Sequence, residues 1–331
     1  MSSSLFGQVR VDPSKYGKES GGSHLLRLQP KTGDVFHYKI TTKSQVSIKN
    51  SNDLFTEGEW MAMKPNDKAS TSLVFFITLS VRSRRADEAT DFKASIDSIH
   101  GAMDNNGLQG LFTSTSAADK VKPDFAQYSV LTGYDFGAIY DSKGAEKDVY
   151  GYYNVVDNVY ASLPDSLQTD DENAKINDQV HSALQTNLGN LFTSLPYDEV
   201  GKDSSYANSY RTDYPVWSSL SFPMQTDYSQ RLSRFEEQGG RTYGIWMDST
   251  SLIPIERIID EKEYKTTLPT FTYVKKNVHY IDLESGMIGY SKLTMDRSFS
   301  MKIEGKGADK EGKSYVTVQR LKEEAVVELM K

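Results

Sequence analysis

The sequence predicts an α+β protein that is mainly β, built on a curved antiparallel sheet of half-barrel-like form with a helical insertion. Three observations predict it. Long segments alternate apolar and polar residues with a period of two, Gly and Asp turn signals separate those segments, and one central stretch has a period of 3.6. The 331 residues, 25% charged and 37% hydrophobic, are typical of a chain that buries a substantial core.

The predicted organisation has three parts. Residues 1–23 are polar and rich in Gly and Ser, which is typical of a flexible leader. Residues 24–320 form a single β-rich domain, with the helical insert at about 152–195. Residues 321–331 form a C-terminal tail, in which charged residues slightly favour helix over strand.

Before the insert, the alternation predicts strands at 35–48, 72–85 and 91–100. In the second of these, Leu73, Phe75, Ile77, Leu79 and Val81 share one face. The charged residues 85–90 join it to the third strand as the turn of an antiparallel hairpin.

Two helices are predicted in the insert, at 152–163 and 173–194. Acidic residues precede the second helix, where they suit the helix dipole, and Pro196 closes it. After them, 201–215 is expected to be a polar, tyrosine-rich loop.

The alternation then returns and predicts two more hairpins. One joins 228–237 to 242–247 through Gly239-Gly240, and the other joins 271–283 to 287–303 through a Glu-Ser-Gly turn. The last strand is far longer than the usual ~5–6 residues. We therefore expect it to bend at Gly289 or near Asp296.

The composition excludes several functional classes. The absence of cysteine excludes disulfides, thiolate zinc sites and iron–sulfur clusters. The net charge of −7 argues against a nucleic-acid partner. The five histidines show no short metal-ligand spacing, so no metal, cofactor or catalytic residue is predicted. His100, with Asp97 and Asp104 nearby, is interpreted as a strand-end histidine rather than an acid–base group.

An apolar stripe rich in methionine and aromatic residues has two interpretations. The plainer one is the core under a sheet. The alternative is the lining of a cavity for an apolar ligand, because methionine adapts to irregular apolar shapes and such sites need few polar anchors. The predicted ligand-binding residues are Phe75, Ile77, Leu79, Met287, Leu293, Met295, Phe299 and Met301, with Trp217 and Trp246 as further wall residues.

Some segments support a resemblance in organisation over about 24–320. They are Asp282-Leu283-Glu284-Ser285-Gly286-Met287-Ile288, Gly133-Tyr134-Asp135-Phe136-Gly137 and the helix 173–194. Long strands joined by such turns, with helices inserted mid-chain, resemble the half-barrel bacterial carriers of lipoproteins and lipids. The resemblance implies a curved sheet around a helical plug and an apolar interior that holds acyl chains.

These considerations predict non-enzymatic binding or carriage of an apolar ligand, a lipid or acyl chain. Two alternatives stay open. One is a surface glycan-binding or adhesion module, because tyrosine is plentiful in 197–228; the other is a hydrolase with dispersed carboxylates, which leaves no local signature.

The predicted compartment follows from the amino-terminal segment. Its serines and the Gly/Ser-rich 17–23 resemble the tether after the lipidated cysteine of a bacterial lipoprotein, with Met1 in that position. This predicts an exported protein of the periplasm or outer membrane, tethered through a lipidated N-terminus and with its signal removed. A cytoplasmic protein with an ordinary polar start is the alternative.

Overall fold

The computed structural model describes residues 22–55, 67–120, 128–196, 198–202, 204–217, 220–307 and 309–330. Most of the predicted leader therefore lies outside the described residues. The strands are β1 (Ser23–His24), β2 (Val35–Asn52), β3 (Asp67–Arg84), β4 (Thr90–Asn105), β5 (Leu108–Thr113), β6 (Asp135–Tyr140), β7 (Glu146–Tyr150), β8 (Val200–Gly201), β9 (Ser205–Trp217), β10 (Leu220–Gln238), β11 (Arg241–Pro254), β12 (Ile258–Asp260), β13 (Tyr264–Asp282), β14 (Ile288–Gly305) and β15 (Ser314–Met330). The α-helices are α1 (Ala117–Lys120), α2 (Tyr153–Ala161) and α3 (Asp170–Gly189).

In the described part of the chain, thirteen strands form one open antiparallel sheet, which confirms the predicted fold class. Its order is β7-β6-β4-β3-β2-β15-β14-β13-β11-β10-β9, with β5 added to β4 and β12 added to β13. The end strands β7 and β9 do not pair with each other, so the sheet does not close into a barrel. A separate pair joins β1 and β8.

The predicted long hairpins are present. A register shift where β14 passes β13 leaves Gly289 as the extra residue, since Tyr280 lies opposite Tyr290 and Ile281 opposite Ile288. This bulge is the predicted irregularity at Gly289. A bulge lets a strand of this length twist without losing the rest of its ladder.

The slight preference for helix at 321–331 was wrong, because Ser314–Met330 is a strand between β14 and β2. Its charged residues pair across strands instead of along a helix. Glu328 lies 3.5 Å from Lys39, Glu324 lies 3.0 Å from Lys292, and Lys322 lies 3.9 Å from Asp296. The strand joins the two halves of the chain in the centre of the sheet.

The predicted loop at 201–215 was also wrong, because Ser205–Trp217 is the edge strand β9. Tyr206, Tyr210 and Tyr214 lie on the same face at a period of two. Because β9 is an edge strand, its tyrosines stay partly exposed, and the segment lacks the apolar alternation of a buried strand.

Both predicted helices are present in the insert. The side chain of Thr169 caps α3 by accepting a hydrogen bond from the backbone N–H of Glu172, at 3.2 Å. Ile176, Val180 and Leu184 recur at four-residue intervals and are buried on one face of α3. That stripe docks the helix on the sheet.

We call the sheet face that carries Ile40, Ile77 and Val327 the inner face. The strand registers place Ile40 opposite Val327 and Ile77 opposite Tyr38, two positions from Ile40 on the same face of β2; Ile40, Ile77 and Val327 all belong to the main core with the buried face of α3. No described helix is long and apolar enough to cross a membrane.

A second core lies further along the inner face, between layers of the same sheet. The pairing of β11 with β13 ends at Ser251 and Val274, and beyond this point β12 takes the place beside β13. The ring centroids of Tyr214 on β9 and Tyr273 on β13 are 6.2 Å apart. Three strand spacings of about 4.8 Å would put them roughly 14 Å apart in a flat sheet. Strands β9 and β10 therefore fold over the inner face there, and Phe299 and Met301 are among the side chains buried beneath them.

Candidate functional site

A cleft of about 970 Å³ separates the helices from the sheet, and we call it the helix–sheet cleft. Its floor is the inner face of β2, β3, β14 and β15, and its walls are α2, α3 and the segment 128–131. It lies where the predicted helical insert meets the predicted sheet, so both parts of the sequence are needed to form it.

Apolar side chains form much of the interior of the cleft, and polar side chains, among them the charged Lys43, Glu323 and Glu324, make up the rest of its lining. Leu73 and Phe75 are 5% and 3% exposed on β3, and Ile176 and Val180 face them from α3. The polar residues on α3 are Gln179, Ser182, Thr186, Asn187 and Asn190. Burial raises the pKa of the Tyr128 hydroxyl, so this tyrosine stays neutral where it lines the cleft.

Small side chains explain why the cleft stays unfilled. Thr42 on β2 lies opposite Ala325 on β15, and Ala183 is on the wall above them. Protein interiors normally pack to the density of organic crystals, with few voids larger than a water molecule. A large apolar gap between a docked helix and its sheet therefore departs from ordinary core packing.

A polar recess of about 170 Å³ adjoins the cleft and shares Asn190, Leu293 and Ala325 with its lining. The rest of the lining comes from the sheet and from the carboxyl end of α3. The sheet contributes Lys275, Asn277, His279, Ser291 and Val327, and the end of α3 with the residues after it contributes Gly189, Phe192 and Thr193. The strand register places Lys275, Asn277 and His279 on the inner face at every second position of β13. The polar recess is thus a hydrophilic extension of an otherwise apolar cleft.

Two of the side chains that line the recess, Ser291 and His279, form a hydrogen-bonded relay with Asp248, which lies behind them and is also largely shielded from solvent. Ser291 Oγ lies 2.9 Å from His279 Nδ1, and His279 Nε2 lies 3.1 Å from Asp248 Oδ2. The relay joins β14, β13 and β11. Asn277 Nδ2 donates to the other oxygen of Asp248 at 2.6 Å, so both carboxylate oxygens have a donor.

The relay has the connectivity of a nucleophile, a base and an orienting carboxylate. Ser291, however, lies mid-sheet, opposite His279 on one side and Val327 on the other. Because β14 pairs with a strand on each side here, the backbone N–H groups near Ser291 already donate hydrogen bonds within the sheet. They are therefore not available to form an oxyanion hole. The arrangement is better suited to hold a polar group than to stabilise a tetrahedral intermediate.

Two polar groups in the recess, the Lys275 ammonium and the Asn277 amide oxygen, lack a charge partner or a hydrogen-bond donor among the described residues. Within the described residues Lys275 makes no ion pair, and the residues opposite it on the neighbouring strands are Met295 and Thr250. Asn277 Oδ1 is buried and accepts no hydrogen bond from the described residues. Unpaired buried acceptors cost about 1–3 kcal/mol, so this atom favours a donor from a ligand or water.

The structure does not bring the predicted binding residues together into one site. Phe75 lines the helix–sheet cleft, and Leu293 lines both the cleft and the recess. Ile77, Leu79, Trp246 and Met287 are buried in the main core, whereas Phe299 and Met301 are in the second core. Met295 is half-buried on the inner face, and the side chain of Trp217 lies outside the described residues.

Sequence reasoning missed the helix wall and the relay. The stripe with Ile176, Val180 and Ala183 was predicted as a helix face, and its small alanine was the available sign of a gap. Asp248, His279 and Ser291 are on three strands and share no short spacing, so no local signal links them. In the described residues no group of three or more His, Asp or Glu side chains is placed to hold a metal ion.

Comparison with known proteins leaves the family open. No protein-family model matches the chain, and no curated protein sequence matches it. Among solved structures, one of lipid–protein interactions in lipovitellin has a TM-score of 0.40 at 12% identity; the match covers 90% of this chain, which spans only 25% of that chain.

Two bacterial structures give lower scores. An outer membrane channel from Pseudomonas putida F1 matches with a TM-score of 0.19 at 6% identity, covering 95% of this chain and 99% of that one. The transport unit of the autotransporter AIDA-I from Escherichia coli matches with a TM-score of 0.16 at 8% identity, covering 87% and 89%. None of these scores reaches 0.5, so function rests on the geometry of the cleft and the recess.

Proposed function

We propose that this protein binds an apolar ligand, a lipid or other acyl chain, in the helix–sheet cleft. The observation that carries the proposal is an unfilled cleft of about 970 Å³ whose lining combines an apolar patch with polar side chains. Ligand sites of about 300–1,000 Å³, mostly apolar and with few polar groups, are typical of small-molecule binding proteins. An amphipathic molecule would place its chain against the apolar side chains and its polar end against a polar part of the lining.

The energetics of such binding are favourable. Each buried methylene contributes about 0.8 kcal/mol, so a chain that buries ten of them gains about 8 kcal/mol before the cost of association. Leu73, Phe75 and Leu293 offer the apolar contact area on the sheet side. This predicts affinity that rises with chain length until the cleft is filled.

The test is to fill the cleft from its helix wall. Ala183→Phe places a ring in the gap, whereas Ala174→Phe makes the same change on the exposed side of α3. We expect displacement of a fluorescent fatty acid by hexadecanoate to weaken at least tenfold in the first variant and to stay unchanged in the second. Native mass spectrometry of the purified protein, with lipid extraction, tests for a retained hydrophobe.

The proposal fails if neither the fluorescent fatty acid nor any extracted lipid binds the wild-type protein. It also fails if A183F and A174F bind equally well, because the ligand would then lie elsewhere. Circular dichroism of both variants shows whether the helix is intact.

A second candidate function, glycan binding, is supported by exposed aromatic rings on β9. Tyr206 and Tyr210 are 55% and 49% exposed on the inner face, and Tyr228 on β10 packs beside Tyr206 with 6.5 Å between ring centroids. Aromatic faces of this kind stack on sugars. Loss of glycan-array binding in Tyr210→Ala, but not in Tyr153→Ala at an exposed position on α2, supports this function, and equal binding refutes it.

We further propose that the protein is exported to a bacterial cell envelope and tethered there through a lipidated N-terminus. The support is compositional: Ser2–Ser4 and the Gly/Ser-rich 17–23 are typical of a polar tether, and a sequence with no cysteine and twenty tyrosines suits an exported β-rich protein. Fractionation of cells that express the native gene tests it, and recovery from the cytoplasm alone refutes it.

A further inference from the structure

We propose that the polar recess binds the anionic head group, a carboxylate or a phosphate, of the ligand whose chain occupies the helix–sheet cleft. This inference rests on the proposed function. The two cavities share Asn190, Leu293 and Ala325, so a single molecule can extend from one into the other. A recess of about 170 Å³ admits a polar group of several atoms, since roughly 10–15 Å³ already holds a water.

The charge for an anion comes from Lys275. This ammonium makes no ion pair among the described residues, and neither Met295 nor Thr250 opposite it is charged. Glu323 also lies on the inner face, but two strands away from Lys275 across Met295, which is roughly 10 Å in strand spacings. Lys275 is therefore free to pair with a ligand.

Two negative features lie near the recess, and neither is a charged side chain of its lining. The Asp248 carboxylate lies outside the lining, and its two oxygens are hydrogen-bonded to Asn277 and His279. The carboxyl end of α3 carries about half a negative charge, which is less than the full charge of Lys275 and falls off within the last turn. Among the described residues that line the recess, Lys275 is the only Lys, Arg, Asp or Glu side chain, so the lining itself favours an anion.

The hydrogen-bonding groups of the recess add specificity. The hydroxyl of Ser291 and the orphaned Oδ1 of Asn277 line the same space. The amide oxygen of Asn277 accepts a hydrogen bond from a water that accompanies the head group, or from the P–OH group of a phosphate monoester. The relay holds His279 and Asp248 in fixed positions, so the recess is preorganised before a ligand arrives.

The chain supplies a matched pair of lysines for the test. Lys275 faces the recess, and its neighbour Lys276 is exposed on the opposite face of β13. Calorimetry on the wild-type protein, Lys275→Gln, Lys276→Gln and Lys275→Arg compares hexadecanoate and hexadecyl phosphate, each below its micelle concentration, with hexadecanol below its solubility limit. Thermal melting confirms that each variant is folded.

We expect wild type to bind at least one of the two anions about tenfold more tightly than hexadecanol, as one charge-assisted hydrogen bond provides. K275Q should lose that preference without weakening hexadecanol, while K276Q and K275R should keep it. The anion whose affinity falls in K275Q identifies the head group as a carboxylate or a phosphate.

The head-group inference is overturned, with the cleft function intact, if all three ligands bind equally to wild type. The same conclusion follows if K275Q and K276Q have equal effects, or if K275Q weakens hexadecanol as much as the anions. Failure of every ligand to bind overturns the proposed function instead.

Discussion

The docking of α3 on the sheet creates the helix–sheet cleft, and its strength can be tested at Leu184. This side chain is 1% exposed in the main core. Replacing it with alanine removes three carbon atoms, worth about 2.4 kcal/mol at ~0.8 kcal/mol per group. The cavity left behind adds to that loss, so we expect Leu184→Ala to lower the free energy of unfolding by about 3 kcal/mol.

The assay is urea unfolding followed by tryptophan fluorescence and by far-ultraviolet circular dichroism. Leu108→Ala is the control, because Leu108 is 80% exposed in the β4–β5 hairpin and should lose less than about 0.5 kcal/mol. A loss of less than about 1 kcal/mol in L184A, equal to that of L108A, would refute the docking of α3. Coincidence of the two probes establishes that a single transition is measured.

Three other substitutions have expected outcomes. Gly286→Ala should lower the free energy of unfolding in urea by several kcal/mol, because φ is +71° and a Cβ would meet the Arg27 carbonyl oxygen at 2.0 Å. The control is Gly189→Ala, where a Cβ meets open space; it should be neutral or stabilising by up to about 1 kcal/mol. Burial raises the pKa of Tyr38, so the folded state keeps a proton that the unfolded state loses above pH ~10, and stability falls as pH rises. In Tyr38→Phe the slope of unfolding free energy between pH 10.5 and 12 should be shallower by up to about 1.4 kcal/mol per pH unit, and an unchanged slope contradicts this. His279→Ala should cost about 2–4 kcal/mol, because Asp248 loses a partner in a buried place; a loss below about 0.5 kcal/mol in thermal or urea unfolding would show that the relay does not stabilise the sheet.

The predicted fold was obtained from local patterns because alternation and helical periodicity are properties of neighbouring residues. The stripe from Leu73 to Val81 predicted β3, and the stripe with Ile176 and Val180 predicted α3. The pattern failed where the environment differed. β9 is a partly exposed edge strand, so its inward residues are tyrosines and polar groups, and β15 has charges that are satisfied only by neighbouring strands.

The candidate site was largely hidden from the sequence. Methionine and aromatic stripes indicate an apolar face, but they do not tell a filled core from a hollow one. Met301 and Ile77 occur in similar alternating runs, yet they belong to different cores, while Leu293 between them in the sheet borders open space. Whether such a residue is buried in a core or borders the cleft depends on which other elements of the fold pack over it.

The sequence by itself determined most of the long strands, the helical insert and the long hairpins, and it limited the irregularity in β14 to Gly289 or the Asp296 region, because each depends on local periodicity and turn chemistry. Tertiary structure alone decided where the inner face is covered and where it is open. Small side chains at Thr42, Ala183 and Ala325, far apart in the chain, meet across the same gap. Volume is a property of all the residues around a space, so only the folded arrangement reveals it.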